Sequence, residues 1–105
     1  METPVVERIV TVVGEHGLHL RPAERFSRLA MSFESEIEVV CDGVCVDAKS
    51  IINVLTLGAA PGAELRLKAS GADANEAVDA LVRLVQSDFD HQQITSRGAA
   101  ADGSP

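Results

Sequence analysis

The chain has no tryptophan and no tyrosine, and its aromatic side chains are Phe26, Phe33 and Phe89. It therefore offers no platform on which bases could stack, and its core must be aliphatic. Basic residues are also scarce. Nine Lys and Arg stand against 16 Asp and Glu, a formal net charge of −7. A phosphate backbone demands a basic face, so nucleic acid is excluded as a partner, and acidity of this kind serves mainly solubility. No hydrophobic run approaches the ~20 residues of a membrane span. The apolar segment up to Val13 is interrupted by Glu2, Glu7 and Arg8 and lacks a small-residue cleavage pattern. It is not a secretory signal, and a cytoplasmic location without direct membrane insertion is expected.

Cysteine is limited to Cys41 and Cys45, and their local setting argues against a bridge. Asp42-Gly43 between two β-branched runs is a strong two-residue hairpin signal. That register pairs Cys41 with Val44, Val40 with Cys45 and Val39 with Val46. Successive strand residues alternate in direction, so the two thiols point to opposite faces. Ile37, Val39, Cys41, Val44, Val46 and Ala48 then line one face, and Glu36, Glu38, Val40, Cys45 and Asp47 the other. Only one face is consistently apolar, as expected of an antiparallel sheet covered on one side.

With 105 residues, one domain is expected, and a chain of this size buries about two-thirds of its unfolded surface. Val5–Val13 reads as a first strand ending at Gly14. From Pro22 to about Phe33 the apolar positions follow helical spacing. After the hairpin, Ser50 precedes Ile51–Leu57, read as a short helix, although its Ile and Val content would equally suit a strand. Pro61-Gly62 is a turn, and Glu64–Ala69 alternates strictly as a fourth strand. Asp73-Ala74-Asn75-Glu76 is a variant capping box, opening a helix that carries Ala77, Val78, Leu81, Leu84 and Val85 on one face and ends near Phe89. The sequence predicts an α+β open-faced sandwich, a four-stranded antiparallel sheet with three helices on one face. Residues 1–89 form the domain, and 90–105, polar and aperiodic, form a disordered tail.

The segment Gly17-Leu18-His19-Leu20-Arg21-Pro22-Ala23 places an imidazole and a guanidinium two residues apart at the start of a helix. Gly17 permits the positive φ of a tight turn, and Pro22 is preorganised for an early helical position whose amide needs no intrahelical partner. Free amides and the helix dipole favour an anion there. Arg21 adds a forked donor suited to phosphate oxygens, and an imidazole is nucleophilic near neutral pH. The bland alternative is a solvated turn histidine beside a surface arginine. Arg21, Arg25 and Arg28 recur at helical spacing, which fits either a docking stripe for an acidic partner or a solvated face that includes Glu24. His16 and His19 could be read as a metal pair. No third ligand lies at a convincing spacing, so no metal site is expected.

Together with Lys49-Ser50-Ile51-Ile52-Asn53-Val54-Leu55-Thr56-Leu57-Gly58 and Pro61-Gly62-Ala63-Glu64, that segment resembles the HPr family, the histidine-containing phosphocarriers of the phosphoenolpyruvate-dependent sugar phosphotransferase system. The resemblance spans roughly residues 5 to 89. It implies that His19 accepts a phosphoryl group at Nδ1 from phosphorylated enzyme I and passes it to IIA components of sugar transporters, with Arg21 stabilising the transferred group. This is a carrier with a phosphohistidine intermediate rather than a stand-alone enzyme, and it implies no cofactor. Ser50 matches the position modified by HPr kinase/phosphorylase, and it also suits the N-cap of the short helix. Leu20, Arg25, Arg28, Ile51, Ile52 and Leu55 would form the docking surface. Leu20 stands where the family usually carries a smaller or hydroxylated residue, and Asn53 where it often has Gly or Lys.

Two other readings remain open: a regulatory paralogue reporting nitrogen or carbon status, and a non-catalytic ferredoxin-like ligand-binding module. The Gly-x-His-x-Arg-Pro segment counts against the module, which has no reason to place His and Arg together before a helix. A monomer is expected.

Overall fold

Alternation in the strands and 3.6-residue periodicity in the helices both resolve onto one interface. The computed structural model describes residues 3–14 and 17–89. The expected tail and the His16 half of the metal-pair question lie outside the described residues. The elements are β1 (Val5–Thr11), α1 (Leu20–Met31), β2 (Glu36–Cys41), β3 (Val44–Asp47), α2 (Ile51–Thr56), β4 (Glu64–Ser70) and α3 (Ala74–Gln86).

The four strands form one sheet in the order β1-β4-β2-β3, every neighbouring pair antiparallel. In β4, Leu65, Leu67 and Ala69 are buried while Glu64, Arg66 and Lys68 are exposed. With β1 on one side and β2 on the other, this last strand sits inside the sheet, where two neighbours satisfy both its hydrogen-bonding edges. On the open face, Glu7, Lys68, Glu38 and Asp47 lie in one cross-strand row, a polar surface that needs no cover. The hairpin register is as predicted, with Cys41 opposite Val44, Val40 opposite Cys45 and Val39 opposite Val46. Cys41 is buried, Cys45 is exposed and both are free.

The helices pack on the other face. Phe26 of α1, Leu81 of α3, and Ile37, Leu65 and Leu67 of the sheet are among the largest fully buried side chains. The apolar face predicted for α3 is buried throughout: Ala77, Val78, Leu81, Leu84 and Val85.

Four expectations need correction. The first helix spans Leu20–Met31, starting two residues earlier than its buried apolar pattern suggests, because the exposed Leu20 and Arg21 of its first turn belong to it as well. Val44 is exposed although its direction matches buried neighbours, since it lies in the edge strand beside the hairpin tip. The first strand stops at Thr11, before Val12 and Val13.

The fourth correction concerns Asp73. It occupies the N-cap position of α3, but its side chain makes no capping bond. Instead its carboxylate accepts from the amides of Glu34 and Ser35, each at 2.9 Å, and from the Ser35 hydroxyl. A carboxylate with three donors from another loop is worth more as a tertiary tie than as a local cap. These donors, led by the Ser35 hydroxyl, hold its pKa below the usual carboxylate value.

Candidate phosphoryl-transfer site

The site is assembled at the start of α1. His19 is the N-cap of that helix, with extended backbone angles of φ −103° and ψ −165°, and it is exposed. Its carbonyl accepts the first intrahelical bond, from Ala23 at 2.9 Å. Leu20, Arg21 and Pro22 thus fill the first turn, where amides have no intrahelical acceptor and proline has no amide to leave unpaired. No acidic residue occupies that turn, so nothing there opposes a bound anion. Arg21 is exposed within the same turn.

The approach to His19 is fixed from outside the helix. Gly17 has φ +73°, and a Cβ there would stand 2.6 Å from the Ala59 carbonyl oxygen. The next amide, of Leu18, donates to that same carbonyl at 2.8 Å, and the Leu18 side chain is buried. At the other end of the loop Gly14, with φ +90°, lies directly beneath the Asp88 carboxylate. The turn requirement of Gly17 was legible in the sequence. Its partner was not, because nothing local marks Ala59 as the acceptor.

The remaining predicted residues fall into different environments. Ser50 is the N-cap of α2, its hydroxyl accepting from the Asn53 amide at 3.3 Å. The segment before it is held by Lys49, whose Nζ donates to the Phe33 carbonyl at 2.7 Å. That link had no sequence signal. Ile52 and Leu20 are 66% and 60% exposed, while Ile51 and Leu55 are half-buried, on two helices that pack against each other. The three arginines of α1 differ. Arg28 pairs with Glu24 one turn earlier at 2.8 Å, an exposed contact of small energetic weight. Arg25 is half-buried and donates to the Phe89 carbonyl at 2.7 Å. Arg21 is the one that lies in the first turn beside His19.

Among the described residues no group of three or more His, Cys, Asp or Glu side chains is placed to hold a metal ion, and no helix is long and apolar enough to cross a membrane.

Residues 6–87 match the family model described as the PTS HPr component phosphorylation site. The chain belongs to the HPr family. It is 36% identical over 85 residues to the phosphocarrier protein HPr of Cupriavidus necator, covering 81% of this chain and 96% of that one. Among solved structures, HPr-C-His from Thermoanaerobacter tengcongensis is similar with a TM-score of 0.77 and 40% identity, over 80% of this chain and 94% of that chain. A structure of an HPr dimer from the same organism is similar with a TM-score of 0.65 and 41% identity, over 76% and 92% of the two chains. The open-faced sandwich of this chain is thus the HPr fold, and the ferredoxin-like alternative is set aside.

Proposed function

We propose that this HPr-family chain carries a phosphoryl group on His19, received from phosphorylated enzyme I and delivered to IIA components of sugar transporters. The observation that supports this reading most directly is the position of His19: an exposed imidazole at the N-cap of a 12-residue helix with no acidic residue in its first turn. In the transfer, the bond to the donor breaks as a bond from phosphorus to Nδ1 of His19 forms. The first-turn amides and the Arg21 guanidinium neutralise the oxygens of the group in flight. The host supplies position and charge, and no metal or cofactor enters the step.

Leu20, Ile52, Ile51 and Leu55 supply the apolar part of the docking surface, and Arg21 and Arg28 attract acidic partners to it. Ser50 is both helix cap and a regulatory phosphorylation position for a kinase of the HPr kinase/phosphorylase type. A phosphate there would add nearly two negative charges beside Ile51 and Ile52, weakening docking while leaving the fold in place. The working form is a cytoplasmic monomer.

The test is to incubate the protein and its His19→Ala variant with phosphoenolpyruvate and enzyme I. Acid-labile phosphate should appear on the wild type and be absent from the variant. Labelling of the variant would remove His19 from this role. For docking, Arg28→Glu should slow phosphorylation at low salt and approach wild type as salt rises, whereas an unchanged rate at low salt would count against the basic surface.

A further inference from the structure

The sequence places Arg25 on a docking stripe, but its guanidinium is turned to the C-terminal end of α3, where Nη1 donates to the Phe89 carbonyl at 2.7 Å. That end has an unusual conformation. Asp88 and Phe89 are consecutive non-glycine residues with φ of +59° and +62°, a region that L residues occupy only when the surroundings hold them there. Three contacts hold them. The Phe89 amide donates to Leu84 at 2.7 Å and the Asp88 amide to Val85 at 3.0 Å, and the Phe89 side chain is 1% exposed. The reversal aims the Asp88 carboxylate at Gly14, so closely that a Cβ on residue 14 would overlap it.

The reversal therefore touches the chain on both sides of His19: Gly14 lies against Asp88, and α1, whose N-cap is His19, is bound through Arg25 to Phe89. We infer that the Asp88-Phe89 reversal is an anchor for α1, acting beside the Leu18–Ala59 tie, and that Arg25 is a positioning residue which fixes α1, and hence His19, to that anchor. This inference rests on His19 being the acceptor. It assigns Arg25 to the geometry of transfer, not to the attraction of partners, and phosphoryl transfer is sensitive to small displacements of the reacting groups.

The two roles separate in kinetics. Arg25→Gln should lower kcat for phosphorylation by phosphorylated enzyme I about tenfold, with KM and its salt dependence unchanged. Arg25→Lys, which can still reach the Phe89 carbonyl, should recover most of the loss. A raised KM with a flattened salt dependence and unchanged kcat would overturn the proposal and return Arg25 to the docking surface. A second readout needs no transfer at all. In 15N-labelled protein, Arg25→Gln should shift the Gly14 and Leu18 amides and the His19 ring nitrogens, while Arg28→Gln, on the same helix, leaves them in place. Unmoved resonances in folded Arg25→Gln would also overturn it. Absence of acid-labile phosphate on wild-type His19 would instead refute the acceptor assignment, and the resonance test would still decide whether Arg25 anchors α1.

Discussion

The Leu18 amide donates to the Ala59 carbonyl at 2.8 Å, so the residue before His19, the proposed phosphoacceptor, is tied to the turn that follows α2. The tie demands close approach of two backbones. Gly17 provides it, with φ +73° and the Ala59 oxygen where its side chain would otherwise begin.

Gly17→Ala combines a left-handed alanine with that overlap. The backbone term alone costs about 1–2 kcal/mol, so urea denaturation should show a loss of at least that size. Phosphorylation of the folded fraction should slow as well, since the displaced loop carries His19.

Ser50 separates capping from regulation. Ser50→Ala removes the bond to Asn53 and should cost about 0.5–1 kcal/mol while leaving His19 labelling intact. Ser50→Asp keeps an N-cap acceptor and adds a charge. It should preserve stability but slow phosphorylation by enzyme I, and rates equal to wild type would argue against a regulatory role.

The Asp73 tie should appear in the pH dependence of stability. Its folded pKa is depressed below the ordinary 3.8, so its contribution is fully present above that value and is lost as pH falls through the folded pKa. Asp73→Asn should lower the urea midpoint at neutral pH. The gap to wild type should narrow as the solution is acidified below pH 3.8, and a gap constant across that range would show that the carboxylate charge is not what stabilises the loop.

The cysteines should differ in access. Cys45 is exposed and Cys41 buried, and both thiols are held above their usual pKa, each chiefly by desolvation, with Asp42 adding to the effect at Cys41 and Glu38 at Cys45. A thiol reagent should modify one group slowly in the native protein and the second only on unfolding. Modification of both in the native state at similar rates would contradict the hairpin register.

Ser27 lies in the α1 interface, fully buried, with a hydroxyl that has no hydrogen-bond partner among the described residues. Ser27→Ala removes an unsatisfied group and improves helix propensity. It should raise the urea midpoint, by about 0.5–1 kcal/mol in stability.

Much of the molecule was legible because it is local. The hairpin register followed from Asp42-Gly43, whose turn type leaves one pairing for the adjacent strands. The buried face of α3 followed from its spacing, and Ser50 as a cap followed from its place before an apolar segment. The placement of His19 and Arg21 at a helix start was legible for the same reason, since such a start is written in a few consecutive residues.

What the sequence alone could not decide depends on residues far apart along the chain. It did not place β4 between β1 and β2, because alternation specifies a buried face but not a neighbour. Asp73 read as a local cap until the loop bearing Glu34 and Ser35 supplied better donors. Arg25 read as one of three equivalent surface arginines, and only the folded chain brought the Phe89 carbonyl to it. Local rules fix elements and the chemistry at their ends. Sheet order, the bond from half-buried Arg25 to Phe89 and the tie of Leu18 to Ala59 arise from packing, where a single apolar core draws distant segments together and their polar groups must find partners.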